Sequence, residues 1–417
     1  MGIFSRRGDA GTAFMTVMAT TTILFVLATT LMLMIAYQTQ TTQIRTARLR
    51  ATHIADAGVN AYLYQLKNNY GYYNDTPDTG WIDLGGGERY RVVATAATRT
   101  TPLTLRSTGV SMDGTVTIAA TVRFPSFADY MFLSNASLEV NGDARINGSI
   151  RSNGNIDNQG EISGQTIASG IVTGNGKFGA GYEEGRSIVD FNQVLVVMDE
   201  MRTAALDDGT YYANTGSYGY RVTVTGTTAY VEKILSGTDT GDMVTAPIGL
   251  VTIPSNGVLY FADDVWVSGS YSTALTIVSE GDLYLIGSYQ PTDPNSIATS
   301  GLVAKKNIIV PAWYKSVKDD MYINAALLSA TGRIYADIKQ GVIRERITIT
   351  GAVTAFDSGG VWGTYDFTGQ PIAGFRQNVY TYDQRLIDNP PPLYPQVFDG
   401  SLKVDTWVED RNQTFTD

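Results

Sequence analysis

The stretch Thr12–Tyr37 reads TAFMTVMATTTILFVLATTLMLMIAY and decides how the rest of the chain can be arranged. It contains no charged residue, no proline and no glycine. As an α-helix it would be about 39 Å long, against a bilayer hydrocarbon core of about 30 Å. Its threonines tolerate an apolar setting because a threonine hydroxyl can donate to the carbonyl one turn back. The stretch therefore predicts a membrane-crossing helix.

The helical pattern continues beyond the apolar stretch. The first glycine after Gly11 is Gly58. A cleaved secretory signal has an apolar region of about 7–15 residues, so this run is too long for one. We predict one helix over residues 12–67, apolar all round at first and amphipathic later. Its later apolar residues recur at spacings of three and four: Ile44, Ala47, Leu49, Ala51, Ile54, Ala55, Val59, Leu63 and Leu66.

Charges flank the apolar stretch on both sides. Arg6 and Arg7 precede it and favour a cytoplasmic N-terminus and a single pass, whereas Arg45, Arg48 and Arg50 follow it and weigh against that orientation.

This N-terminal region resembles type IV pilins, and more closely the PilX-like group of minor pilins. The residues that carry the resemblance are the basic leader Arg6–Gly11, the apolar run and the segment IADAGVNA at 54–61. The resemblance implies that residues 1–11 form a leader and that a prepilin peptidase cuts between Gly11 and Thr12. A cut between Gly8 and Asp9 is the alternative.

The resemblance also implies that the trimmed helix bundles with helices of other pilin-like subunits. Pilins usually carry a glutamate five residues after the cut, and here that position is Thr16. Without that carboxylate a minor subunit is favoured over a major one, and an ordinary unprocessed membrane anchor stays an alternative. The residues expected to contact neighbouring helices are Phe14, Val17, Leu24, Leu27, Leu31 and Ile35.

Composition and charge narrow the function of the remainder. Residues 1–67 carry six basic and two acidic side chains, a formal charge of +4. Because the net charge of the whole chain is −10, the remaining residues carry −14. Such an acidic portion repels phosphate backbones, so no nucleic-acid partner is expected for it. The chain has no cysteine and one histidine, His53. Disulfides, thiolate metal sites and thiol catalysis are therefore excluded, and we expect His53 to lie on the helix surface.

The chain after the helix has the composition and turn pattern of β-structure. Residues 68–130 predict a small antiparallel sheet packed against the helix. Residues 131–186 predict a first β-solenoid segment, because pairs ending in glycine recur every six residues. The pairs are Asn141-Gly142, Asn147-Gly148, Asn153-Gly154 and Gln159-Gly160.

We expect Asn141, Asn147 and Asn153 at solenoid corners, where asparagine or glycine takes the left-handed conformation. We expect Ile150, Ile156 and Ile162 to be stacked inside, over about two coils. A string of hairpins with Asn-Gly turns is the alternative, although its strands would be very short.

Residues 187–248 predict an inserted side lobe. It would contain a helix from Asp190 to Leu206, followed by a hairpin that turns at Gly226. The apolar face of the helix would consist of Val194, Val197, Met198, Met201 and Ala205.

Residues 249–398 predict a second solenoid segment with a capping C-terminus. Ser279, Ala304 and Ser329 occupy equivalent places in three similar strand pairs, 25 residues apart, and that period suits a parallel β-helix. The stretch from Gly374 to Pro395, with the proline run 390–392, resembles a C-terminal motif of PilX-like proteins that have β-helical ectodomains. The proline run would lie across the last coil and prevent edge pairing. Residues 399–417 would be a tail.

Few residue groups could carry chemistry. Paired acids could cleave polysaccharide, and Asp263-Asp264 and Asp319-Asp320 are the candidates, but neighbours on a strand face opposite ways. The acidic corner Asp239–Asp242 could offer oxygen ligands to calcium but lacks a full loop motif. No catalytic, cofactor-binding or metal-binding residue is therefore predicted.

The predicted fold is mainly β with a long N-terminal α-helix, a pilin-like helix followed by a parallel β-helix ectodomain. The predicted function is a structural minor pilin, in the cytoplasmic membrane and then in a surface filament, that presents the β-helix for adhesion or assembly, with surface polysaccharide as a further candidate partner. The rivals are a surface-anchored β-helix enzyme that acts on polysaccharide and a bactofilin-like polymer.

Overall fold

The computed structural model describes residues 9–69, 71–95, 102–112, 114–142, 144–357, 360–397 and 402–410. The chain forms two compact units: a helix–sheet unit, Met1–Arg123 with Leu402–Asp417, and a solenoid unit, Phe124–Ser401. The fold is mainly β with a long N-terminal helix, as predicted.

The helix–sheet unit is built on helix α1, Asp9–Asn68, followed by the short α2, Tyr72–Asp75. Its antiparallel sheet has the strand order β1-β2-β3-β4-β30. The strands are β1 Ile82–Gly85, β2 Glu88–Thr95, β3 Leu103–Ser111, β4 Gly114–Arg123 and β30 Lys403–Glu409.

Two boundaries of this unit differ from the prediction. The sheet ends at Arg123 rather than near 130, and the expected tail contributes the edge strand β30, paired with β4. All residues of β30 are exposed, so the strand has no buried face and no alternation of apolar and polar residues to reveal it.

The solenoid unit contains a first stack of short parallel strands. They form three ladders, β5-β8-β11-β14, β6-β9-β12 and β7-β10-β13, so each turn of the chain is a three-sided coil. The strands are β5 Phe132–Ser134, β6 Leu138–Val140, β7 Arg145–Ile146, β8 Ile150–Ser152, β9 Ile156–Asn158, β10 Glu161–Ile162, β11 Thr166–Ala168, β12 Val172–Thr173, β13 Lys177–Phe178 and β14 Tyr182–Glu183.

The interior of this stack corrects the predicted stacking. Ile150, Ile156 and Ile162 are fully buried, but each lies on a different side of one coil. The vertical neighbours of Ile156 are Leu138 and Val172. A step of six residues therefore moves from one side of a coil to the next side. Residues are stacked on one another only when they are separated by a complete coil.

The corners also differ from the prediction. Asn141, Asn147 and Asn153 do not have positive φ. The corner glycines are required chiefly by close packing: a Cβ at Gly160 would lie 2.5 Å from the carbonyl oxygen of Asn141. The Asn153 side chain instead exchanges two hydrogen bonds of 2.7 Å with the backbone of Val189.

The predicted side lobe is part of the solenoid. Helix α3, Asn192–Asp207, packs Val194, Met198, Met201 and Ala205 into the solenoid core, while Val197 is partly buried. The hairpin of β16, Tyr220–Gly226, and β17, Thr228–Ser236, turns at Gly226 with φ 62°. Because β16 also pairs in parallel with a later solenoid strand, the hairpin closes one end of the stack.

A second stack of longer coils follows. Its parallel pairs join Ser279 to Ala304 and Ala304 to Ser329, as the 25-residue period predicts. The strands are β15 Tyr211–Tyr212, β18 Val244–Thr252, β19 Val258–Phe261, β20 Val265–Tyr271, β21 Leu275–Ser279, β22 Leu283–Pro291, β23 Ser300–Ala304, β24 Ile308–Pro311, β25 Asp320–Ser329, β26 Ile334–Asp337, β27 Ile343–Ala355, β28 Gly363–Tyr365 and β29 Pro371–Tyr382.

The two stacks are joined out of chain order. Strand β27 pairs in parallel with β5, so the last long coil of the second stack lies on the first coil of the first stack. The chain winds outward from β5 to β14, passes along α3, and begins again at β15. Asn256, next to β19, donates to the carbonyl of Ala204 in α3 at 2.8 Å, which places the end of α3 near the far coils.

The proline-rich segment follows the short helix α4, Arg385–Asp388. It lies beside successive coils of the second stack and not across the last coil. Thr276 donates to the carbonyl oxygen of Pro392, and Thr299 donates to that of Asn389, both at 2.6 Å. The segment accepts these bonds because its carbonyl groups are not used in a β-ladder.

Candidate membrane and assembly helix

The outer part of α1, residues 13–40, is exposed on every side within the described chain. The residues predicted to contact neighbouring helices are all exposed, from 55% for Ile35 to 67% for Phe14. Residues outside that set, such as Phe25 and Leu33, are equally exposed. The structure therefore does not single out the predicted contact face: Phe14, Val17, Leu24, Leu27, Leu31 and Ile35.

Threonine hydroxyls in this part of α1 are hydrogen-bonded within the helix. Thr20 donates to the carbonyl of Thr16 and Thr30 donates to that of Val26, at 2.8 and 2.7 Å. A satisfied hydroxyl adds little cost to burial in an apolar medium. The same bond is made by Thr21, Thr22 and Thr29.

The inner part of α1 is buried on one face, because that face forms the core of the helix–sheet unit. Its buried residues form one stripe at spacings of three and four. Ile44 and Leu49, expected in this stripe, are about 60% exposed. They lie outside the buried stripe. An apolar side chain by itself does not show which face of a helix is buried. The buried hydrophobic residues are Ala47, Ala51, Ile54, Ala55, Val59, Tyr62, Leu63 and Leu66.

Small residues let the sheet approach this stripe closely. A Cβ at Gly109 of β3 would lie 2.3 Å from the carbonyl oxygen of Ala51, and one at Gly114 of β4 would lie 2.6 Å from the carbonyl carbon of Ala47. Strand β30 is also tied to the helix, since Trp407 donates to Asp56 at 2.8 Å and Arg48 pairs with Glu409. The sheet therefore fixes residues 47–66 and leaves residues 13–40 uncovered.

The predicted cleavage residues lie at the beginning of α1. Gly8 lies outside the described residues. Asp9, Gly11 and Thr12 belong to the first turn of α1. His53 is exposed on the same helix, as expected.

The carboxylates of the predicted acid pairs form hydrogen bonds to backbone amides or ion pairs with arginine. Asp263 accepts from the amide of Thr215 at 2.8 Å, and Asp264 accepts from the amide of Asp282 at 2.8 Å on the next coil. Burial raises the pKa of Asp264 above its ordinary value. Asp319 and Asp320 form ion pairs with Arg344 and Arg346 at 3.2 and 3.3 Å.

The acidic corner at Asp239–Asp242 has a similar explanation. Asp242 pairs with Lys315 at 3.1 Å. Within the described residues, no group of three or more His, Cys, Asp or Glu side chains is placed to hold a metal ion.

Comparisons with known proteins add little. No family model matches the chain, and no curated protein matches it. Among solved structures, it is similar to the competence-associated pilin ComZ from Thermus thermophilus, with 12% sequence identity and a TM-score of 0.31. The alignment covers 88% of this chain and 98% of ComZ. At this score we draw neither fold nor function from the likeness.

Proposed function

We propose that this chain is a membrane-anchored, pilin-like structural subunit that displays a β-solenoid. One observation carries the proposal: α1 is a single helix whose inner part is fixed by a sheet while its outer part is apolar, uncharged and uncovered. Among the described residues it is the one helix long and apolar enough to cross a membrane. Such a surface needs either lipid or other apolar helices around it.

The processing and assembly steps extend this proposal. A prepilin peptidase removes residues 1–11 by cutting after Gly11, the helix waits in the cytoplasmic membrane with its N-terminus inside, and it then bundles with other pilin-like subunits. The solenoid unit works as a display module for adhesion or assembly and not as an enzyme. The hydrogen bonds and ion pairs of Asp263, Asp264, Asp319 and Asp320 support a structural role of these acids over a catalytic one.

Processing is tested by N-terminal sequencing of the full chain, produced together with a prepilin peptidase. We expect a mature terminus at Thr12 for the natural sequence and no cleavage for Gly11→Val. Gly8→Val is the matched control and should still be cut after Gly11. A terminus at Met1, or one near Tyr37, would contradict the pilin reading.

Helix bundling is tested by cysteine cross-linking, because the natural chain contains no cysteine. Leu27→Cys on the outer helix should form intermolecular disulfides in membranes that contain assembled subunits. Tyr64→Cys is the control: Tyr64 is 65% exposed but lies on the inner part of the helix. Equal cross-linking of both variants would argue against a helix bundle.

A further inference from the structure

The solenoid unit is interrupted where its two stacks meet. One side is continuous through the pairing of β27 with β5. On the other two sides β6 and β7 are the edge strands of their ladders, joined to the second stack only by the bridge between Asn147 and Thr381, within the described residues. The two stacks therefore meet along one side and leave a cleft along the others.

The cleft is large and has strand edges as its walls. Its volume is about 1100 Å³. Leu138, Val140 and Ile146 line it from the first stack, and Trp362 and Tyr380 line it from the second. Because β6 and β7 have no ladder partner on this side, part of their backbone hydrogen-bonding capacity faces the cleft.

Two apolar side chains that line the cleft are exposed to solvent. Val361 and Tyr365 are 55% and 47% exposed. Large exposed apolar residues that cluster around a cleft are typical of an interaction surface.

The aromatic residues of the cleft argue against a sugar. Sugar rings stack on free aromatic faces. Phe132 and Tyr380 pack edge to face against each other at 5.0 Å, and Trp362 is only 9% exposed. Of the described aromatic residues that line the cleft, Tyr365 alone is well exposed.

We infer that this cleft binds a polypeptide segment of a partner protein, which adds one short strand to the free edge of β6 and, after a corner, a second short strand to the free edge of β7. Such a segment would satisfy the backbone groups of both edges and place alternate apolar side chains against Leu138, Val140 and Ile146. This inference does not rest on the membrane role of α1.

Charge specifies the occupant further. Glu139 on β6 and Arg145 on β7 are exposed, and neither forms an ion pair with a described residue. The added segment passes both of them, so it should carry a basic residue opposite Glu139 and an acidic residue opposite Arg145. On the opposite edges of β6 and β7, the register places Asp157 beside Glu139 and Glu161 beside Arg145.

The register of β9 and β10 on β6 and β7 suggests the sequence of a peptide that can test binding to the cleft. A synthetic peptide that copies residues 154–164 with Asp157→Lys has the spacing of a natural neighbour of β6 and β7 and the required charges. It would be labelled and titrated against the full chain in detergent micelles, with binding followed by fluorescence anisotropy. We expect saturable binding, and at least tenfold weaker binding when Ile156 and Ile162 of the peptide are replaced by proline, which removes the amide donors.

Exchanging the charges of Arg145 and of its partner in the peptide tests whether the peptide binds beside β7. Arg145→Glu in the protein should weaken the peptide about fivefold, the effect of an exposed ion pair, and a peptide with Glu161→Lys should restore binding to that variant. Lys305→Glu, an exposed site outside the cleft lining, is the control and should change nothing. Since Arg145 is exposed, its substitution leaves the core intact.

Three outcomes would overturn the inference. The first is no binding of the probe peptide at millimolar concentration. The second is equal binding of the proline peptide, because strand addition needs amide donors. The third is competition by neutral or acidic oligosaccharides together with indifference to Arg145→Glu, which would assign the cleft to sugar.

Discussion

Val353, in β27 of the second stack, pairs with Phe132, in the first strand of the first stack. The two residues lie far apart in the sequence, and between them the chain completes the first stack, follows α3 and builds the second stack from its far end. Pairing over such a distance closes a long loop, which slows folding, and it joins the stacks into one structure.

The first prediction concerns this joined core. Ile156→Asp places an unpaired charge in a fully buried position, so it should lower the free energy of unfolding by about 3 kcal/mol. Because the stacks are joined, chemical denaturation should still show one transition for the solenoid unit, shifted to lower denaturant.

Ile171→Asp is the matched control for that prediction. Ile171 precedes β12 in the same stack but is 56% exposed, so its replacement should change stability by less than about 0.5 kcal/mol. Similar destabilisation by both variants would contradict the assignment of Ile156 to the interior.

The second prediction concerns the approach of the sheet to α1. Gly109→Ala should destabilise the helix–sheet unit by about 2 kcal/mol, because its Cβ would meet the carbonyl oxygen of Ala51 at 2.3 Å. The backbone at Gly109 is not left-handed, so the loss would come from the contact alone. Gly71→Ala, whose Cβ would have its nearest contact at 3.4 Å, is the control in a thermal unfolding series.

The third prediction concerns where the chain can be shortened. A fragment of residues 41–417 should be soluble and folded, because it loses only the uncovered part of α1. A fragment of residues 68–417 should lose the β2–β4 sheet, since the stripe from Ala47 to Leu66 supplies the core against which the sheet packs. Amide hydrogen exchange in β3 and β4 distinguishes the two, and equal protection in both fragments would contradict this account.

The sequence was most informative where a pattern repeats within one element. The uncharged stretch from Thr12 to Tyr37 predicted the long helix, and the spacing of Ser279, Ala304 and Ser329 predicted the register of three coils. Both patterns are local, because each follows from the period of a single helix or coil.

The features that sequence reasoning missed depend on distant parts of the chain. Nothing near Val353 or Phe132 indicates that they pair, and β30 has no buried face. The cleft between the stacks follows from that unforeseen junction, so Glu139, Arg145 and Tyr365 were not predicted as a site.

The fourth prediction concerns acid stability of the helix–sheet unit. A hydrogen bond from Arg91 holds the pKa of Asp78 below its ordinary value of 3.8. The stabilisation from this pair is therefore fully present above the unfolded pKa and is lost as the pH falls through the folded pKa. Asp78→Asn should reduce the loss of stability between about pH 5 and pH 2, measured by denaturant midpoints. Asp75→Asn, a nearby acid with no ion pair in the described chain, should leave that loss unchanged.

The fifth prediction is that the full chain cleaves no polysaccharide and that its stability is nearly constant between about pH 6 and pH 8. The chain has no cysteine, and its one histidine, His53, is exposed on α1, so no other side chain with an ordinary pKa near neutrality can titrate. Burial raises the pKa of Asp264, which means that its contribution to stability is present below its unfolded pKa and declines as the pH rises through its folded pKa.

The measurement pairs denaturant midpoints at pH 6 and pH 8 with a screen of acidic and neutral polysaccharides. Asp264→Asn should keep the bond from the Asp282 amide, because an amide oxygen also accepts, and it should leave the midpoint at pH 8 unchanged or higher. Turnover that is abolished by Asp→Asn at Asp263, Asp264, Asp319 or Asp320 would promote the enzyme rival. A flat midpoint without turnover leaves binding as the role of the solenoid, and the cleft beside β6 and β7 is where that binding should be found.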